Sequence, residues 1–114
     1  MADIKSFDRV FPLFINEPAQ TVAAAGALPV NETSYIIVAP ATADVAYTVA
    51  DGTFAGQMVV IIASTANDAN ITFTTPFNAD ADVIGLDNAG EQVLAMWNGS
   101  AWVVLAGEKA TSVA

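Results

Sequence analysis

Cysteine and histidine are both absent from this 114-residue chain, and basic side chains number only three. Without thiolate or imidazole there is no Ser-His or Cys-His nucleophilic pair, no disulfide framework and no ordinary zinc site. The bases are Lys5, Arg9 and Lys109, so no cation lies between Phe11 and Gly107. Phosphate-backbone binding relies on Lys and Arg to displace counterions, which sets nucleic acid aside as a partner. Twelve acids bring the net charge to −9, and such a surface repels anionic membranes. Long apolar runs are lacking too. The stretch at residues 10–15 contains Pro12 and is too short for a signal-peptide core, and nothing approaches the roughly 20 apolar residues of a membrane span. The expectation is a soluble chain made in the cytoplasm.

Charge of either sign is scarce. Charged residues make up 13% of the chain and hydrophobic ones 54%, where an average soluble domain carries about 25% charge. A chain this short supports one compact core. It has too few ionic groups to cover that core's exterior, so self-association or a host surface is expected to complete the cover.

What is present is β signal. Segments rich in β-branched and aromatic residues begin near Tyr35, Ala46, Gln57, Asn70, Asp82, Glu91 and Ala101. Between them lies turn chemistry: Ala43-Asp44, Asp51-Gly52, Asn67-Asp68, Asn78-Ala79-Asp80, Asp87-Asn88-Ala89-Gly90 and Asn98-Gly99. Short strands at spacings of about 8 to 13 residues predict an all-β fold, a small antiparallel β-sandwich of jelly-roll type or a short three-sided β-prism. Residues 1–30 differ, with Phe7, Phe11 and Phe14 set among Pro12, Pro18 and Pro29. Prolines block regular pairing, so this part is expected to be an extended N-terminal arm, docking on a neighbouring molecule or tucked as an edge strand onto its own core, with a helical turn at residues 18–25, ahead of a β domain at residues 31–114.

Asn98-Gly99 predicts a hairpin with a type I′ turn. A two-residue loop would pair Trp97 with Ser100; a four-residue loop would set Trp97 against Trp102. Either register puts Trp97, Trp102 and Val104 on one face and Leu94, Met96, Val103 and Leu105 on the other. Both faces are apolar, so one packs on the core and the other needs a second cover. The run from Met58 to Ile62 likewise offers no polar face and reads as a doubly covered strand. Met58, Val60, Ile62, Trp97 and Trp102 are therefore the candidate oligomer-interface residues, with core packing the plainer role for both Trp. Residues 70–75 alternate, Ile71 and Phe73 against Thr72 and Thr74, and predict one solvent face.

Chemistry-bearing constellations are few. Asn78, Asp80 and Asp82 resemble the opening of a calcium loop, but Val83 and Ala89 occupy the positions that want Gly and Glu, so a polar turn is expected and no metal or other cofactor is assigned. Asp44, Asp51, Asp68 and Asp87 sit in turn contexts and read as solvated turn residues rather than paired catalytic carboxylates. No Gly-rich phosphate loop occurs, and the chain is read as not an enzyme; a carboxylate-dependent glycosidase lacks its paired Glu. Exposed Trp97, Trp102, Tyr35 or Tyr47 would suit sugar stacking. The sequons at Asn31, Asn70 and Asn98 carry no weight without secretion.

Across residues 46–107 a family pattern emerges. AYTVADGTFAGQMVVIIAS, NITFTTP and DVIGLDNAGEQVLAMWNGSAWVVLAG occur in that order. With Gly52, Gly56-Gln57, Ile84-Gly85 and the Trp97-Asn98-Gly99-Ser100-Ala101-Trp102 hairpin, the region resembles a recurring β module of tailed-phage virion proteins. Such modules occur in tail fibres, and similar small domains occur in the trimeric cement proteins that decorate phage heads. The resemblance implies a virion surface protein, typically a homotrimer, with no catalytic residues to carry over. An arm, one β domain and no shaft favour a capsid decoration protein over a fibre. In that role Phe7, Arg9, Phe11 and Phe14 are the candidate contacts to the major capsid protein, and the chain resides on the capsid surface of the virion. The alternative is a tail-fibre or receptor-binding module recognising host surface glycan.

Overall fold

The computed structural model describes residues 18–77 and 83–107, and the backbone of 111–112. All regular structure in them is β: β1 (Gln20–Val22), β2 (Gly26–Ala27), β3 (Tyr35–Val38), β4 (Val45–Val49), β5 (Gln57–Ala63), β6 (Ala69–Phe73), β7 (Val83–Leu86), β8 (Gln92–Trp97), β9 (Trp102–Ala106) and β10 (Thr111–Ser112). The seven segments expected from β-branched and aromatic enrichment are β3 to β9. Each begins within one residue of its expected start.

The strands form two five-stranded sheets, β1-β3-β5-β8-β9 and β10-β7-β6-β4-β2. Through β6 the chain alternates between them, odd strands entering the first sheet and even strands the second. Strands that return to the same sheet therefore run the same way, and β1/β3, β3/β5, β2/β4 and β4/β6 are parallel. Thereafter the direction reverses: β7 pairs antiparallel with β6, β8 with β5, β9 with β8 and β10 with β7. The expected antiparallel arrangement is thus corrected to mixed sheets. Turn residues mark where a strand ends but not which sheet receives the next one, and that choice determines parallel or antiparallel pairing.

One core lies between the sheets. The first contributes Ile36, Val38, Val59, Ile61, Val93 and Ala95; the second contributes Tyr47, Val49, Ile71, Phe73 and Leu86, all buried. β6 alternates as anticipated, Ile71 and Phe73 inward and Thr72 outward. β5 is buried at every second residue and half-buried between. Within the chain it is covered fully on one face only, so of the two covers expected for it this chain's own sheets supply one.

Part of the anticipated arm belongs to the folded body. Residues 20–22 form β1 in register with Ile36, Ile37 and Val38, β2 pairs with β4, and Leu28 and Val30 are core residues. The Tyr47 hydroxyl donates to the Ala23 carbonyl at 2.8 Å, holding the β1–β2 corner against β4. The helical turn expected at 18–25 is not formed, because β3 offers residues 20–22 a strand edge whose hydrogen bonds outweigh alanine's helix propensity. Residues 1–17 lie outside the described residues.

Candidate functional site

The two sheets differ on the sides they turn away from the core. On the second sheet, mostly small and polar side chains face out: Ala46 and Thr48 on β4, Asn70 and Thr72 on β6, with Val83 of β7 beside Thr72. On the first sheet the outward positions are large and apolar. β5 presents Met58, Val60 and Ile62, all half-buried; β8 presents Gln92, Leu94 and Met96; β3 adds Ile37 and Tyr35, which is 45% exposed. β9 contributes Val103, and Leu105, 47% exposed, sits at a bulge opposite the step from Leu94 to Ala95. The next segment bridges in parallel, Pro76 to Trp102. Phe77 therefore alternates outward at this margin, at 61% exposure.

Among the described residues no Asp, Glu, Lys or Arg stands on this face. Gln92 and Thr21 are its polar members. The described acids, Glu32, Asp44, Asp51, Asp68, Asp87 and Glu91, all lie in the turns at the sheet ends. A half-open depression of about 250 Å³ lies on the face, lined by Val60, Gln92, Val93, Leu94, Ala106 and Gly107.

Of the residues singled out from the sequence, Met58, Val60 and Ile62 come together here with Leu94 and Met96, the outer members of the hairpin. Trp97 and Trp102 do not. Both are buried inside one chain, their rings 5.6 Å apart and near edge-on, and the Trp102 Nε1–H donates to the Ala50 carbonyl at 2.8 Å. Core packing is their role, so they cannot present their rings to a neighbouring copy or to a sugar. Tyr47 is buried as well, and Tyr35 is the exposed member of that aromatic set. Phe7, Arg9, Phe11 and Phe14, and the candidate calcium turn at Asn78, Asp80 and Asp82, lie outside the described residues. Phe77 was missed in the sequence because it follows Pro76 in a turn-like stretch with no alternation to orient it.

The hairpin uses the four-residue loop. Trp97 pairs directly with Trp102, the Asn98 N–H donates to the Ala101 carbonyl at 3.0 Å, and Asn98 Oδ1 accepts from Ser100 N–H and Ala101 N–H, each at 2.8 Å. Gly99 has φ +101° and Asn98 is not left-handed. The expected type I′ turn, which needs both central residues at positive φ, is replaced by this side-chain cap.

Two groupings of polar side chains occupy opposite ends of the strands. At one end Gln57, wholly buried at the head of β5, accepts from Thr53 N–H at 2.7 Å and donates to the Val30 carbonyl at 2.9 Å and to Asn31 Oδ1 at 2.8 Å. At the other, Asp68 lies near Asp44, Asp87 and Glu91, and its carboxyl is held above the usual Asp range. Partial withdrawal from water is the main cause, followed by the repulsion of Asp87 and Asp44, a hydrogen bond with the Asp44 side chain and the charge of Glu91. Among the described residues no cluster of acids is arranged to hold a metal ion, and no helix is long and apolar enough to cross a membrane. Compared with known proteins, the chain matches no family model and no curated sequence.

Proposed function

We propose that this chain is a structural protein of a virion surface: a capsid decoration, or cement, protein of a tailed phage that binds the head shell as a homotrimer and bridges major capsid proteins. The observation that carries this is the outer face of the first sheet, an apolar surface on which no described residue is charged, while the described acids are gathered in the turns. Such a surface suits assembly. In this role the segment with Phe7, Arg9, Phe11 and Phe14 lies on major capsid protein, and the β domain, taken as a two-layer sandwich rather than a prism, stands outward with its acidic turns in water. Burying three Phe side chains stabilises attachment by roughly 5–9 kcal/mol before ordering costs. Attachment through three arms multiplies the effective affinity.

The test is sedimentation of the full chain with expanded phage heads lacking it. Co-sedimentation in proportion to the capsid lattice is expected, and the triple variant Phe7→Asp, Phe11→Asp, Phe14→Asp should remain in the supernatant. No binding to heads, together with retention on immobilised host glycan, would replace this assignment with the receptor-binding one.

A further inference from the structure

We infer that copies of this chain meet one another across the outer face of the β1-β3-β5-β8-β9 sheet. Three observations carry it. The first concerns charge: six acids and no Lys or Arg occur among the described residues, so two copies repel wherever turns face turns. Faces joined through Val60 and Leu94 keep those carboxylates at the wet margins. The second concerns exposure. Tyr35, Phe77 and Leu105, the large hydrophobics left exposed among the described residues, all lie on this face or its β9 margin. The third is the contrast with the second sheet, where Thr48, Asn70 and Thr72 face out and Val83, beside Thr72, is their apolar neighbour.

Size bounds the strength. Four strands about 4.8 Å apart and about five residues long, at about 3.3 Å per residue, give a patch on the order of 300 Å² per copy. Two such faces bury about 600 Å² together, below the roughly 1,000 Å² of a stable specific interface, so association is a weak, concentration-dependent equilibrium rather than a permanent complex. Screening the acidic margins with salt strengthens it. This inference rests on the proposed function only for the number of copies.

The experiment is light scattering of the full chain against concentration, with Val60→Glu and Gln92→Glu beside the parent. Gln92 is already polar, so its variant adds charge to the face with little change in packing. The parent's mass should rise above 11.8 kDa with concentration and further with salt. Both variants should stay at one copy at concentrations about tenfold higher, with unchanged urea midpoints for Gln92→Glu. A parent that stays single up to about 1 mM, or a Gln92→Glu chain that associates as the parent does, overturns the inference. So does loss of association in the triple Phe variant alone, which would make the N-terminal segment the joint. Head binding is read separately: association without it sinks the cement role and leaves the interface standing, and the reverse result does the opposite.

Discussion

The two ends of the strands solve the same problem in opposite ways. Each must terminate several strands and satisfy the polar groups released there. At the end where β5 begins, the solution is closed and centred on a neutral amide, with one carboxylate, Asp51, tied in by a hydroxyl. The Gln57 amide ties Thr53, Val30 and Asn31 together; Asn31 donates to the Asp51 carbonyl at 3.2 Å, and the Thr75 hydroxyl donates to Asp51 Oδ1 at 2.6 Å. At the end where β5 finishes, acids crowd. Glu91 accepts the Asp87 N–H at 2.5 Å, and Asp68 sits against Asp44 and Asp87. The amide-tied end is expected to carry stability, while the acidic end is expected to work against it as its carboxylates ionise. Substitutions at the two should therefore differ in size, sign and pH dependence.

The largest effect is expected at Gly52. A Cβ there would lie 2.4 Å from Trp97 Cγ, 2.7 Å from Trp97 Cβ and 2.8 Å from Gln57 Oε1. Trp97 cannot retreat, because Trp102 packs against its ring. Gly52→Ala should cost about 3 kcal/mol or more by overpacking, read as a lowered urea midpoint; a midpoint within error of the parent would show that this end is loose. Next comes Gln57→Leu, which keeps the volume but removes the partners of Thr53 N–H, the Val30 carbonyl and Asn31. Leaving buried polar groups unpaired costs about 2–4 kcal/mol. Because Gln57 carries no charge, the loss should be the same at pH 4.5 and pH 8 (about half a unit above the ordinary Asp value and well clear of it); a pH-dependent loss would blur the distinction between the ends. Asn98→Ala comes third. It removes the acceptor of two backbone N–H groups at an exposed loop, where water substitutes in part, for about 1 kcal/mol.

How much of this was legible in the sequence depends on length and locality. β3 to β9 announce themselves because four to seven residues are enough for β-branched runs and for alternation such as Ile71, Thr72, Phe73 to show. β1, β2 and β10, at two or three residues, are too short for any period, and Pro18 and Gly26 argued against strand there. The outer face was half legible. Leu94 and Met96 follow from the hairpin, and Met58, Val60 and Ile62 from an all-apolar run, but their union needs the β5/β8 register, Met58 beside Met96 and Val60 beside Leu94. The Gln57 clasp was not legible at all. Its partners Val30 and Asn31 lie 27 and 26 residues away, and a glutamine heading a hydrophobic strand has no local mark of burial. The Asn98 loop shows the complementary failure: the dipeptide correctly located the hairpin, while a side-chain cap that also suits asparagine displaced the backbone turn its identity suggested.

At the acidic end the smallest effect carries the opposite sign. Asp68 is held above its ordinary pKa, so the folded chain keeps this proton more tightly than the unfolded chain does. As pH rises from the ordinary Asp value, the unfolded state ionises first and stability falls. The loss is complete once the folded carboxyl has also ionised, above its raised pKa. Asn in this place cannot ionise, yet keeps a donor for the Asp44 side chain. Asp68→Asn should therefore match the parent in acid and become slightly more stable through neutral pH, and salt should shrink the difference by screening Asp87, Asp44 and Glu91. Urea midpoints measured across that range decide the matter. Curves that separate only above the ordinary Asp pKa identify a repulsive end; a variant uniformly weaker at every pH would mean that the Asp68 carboxylate holds the turn together, and that both ends are built for stability.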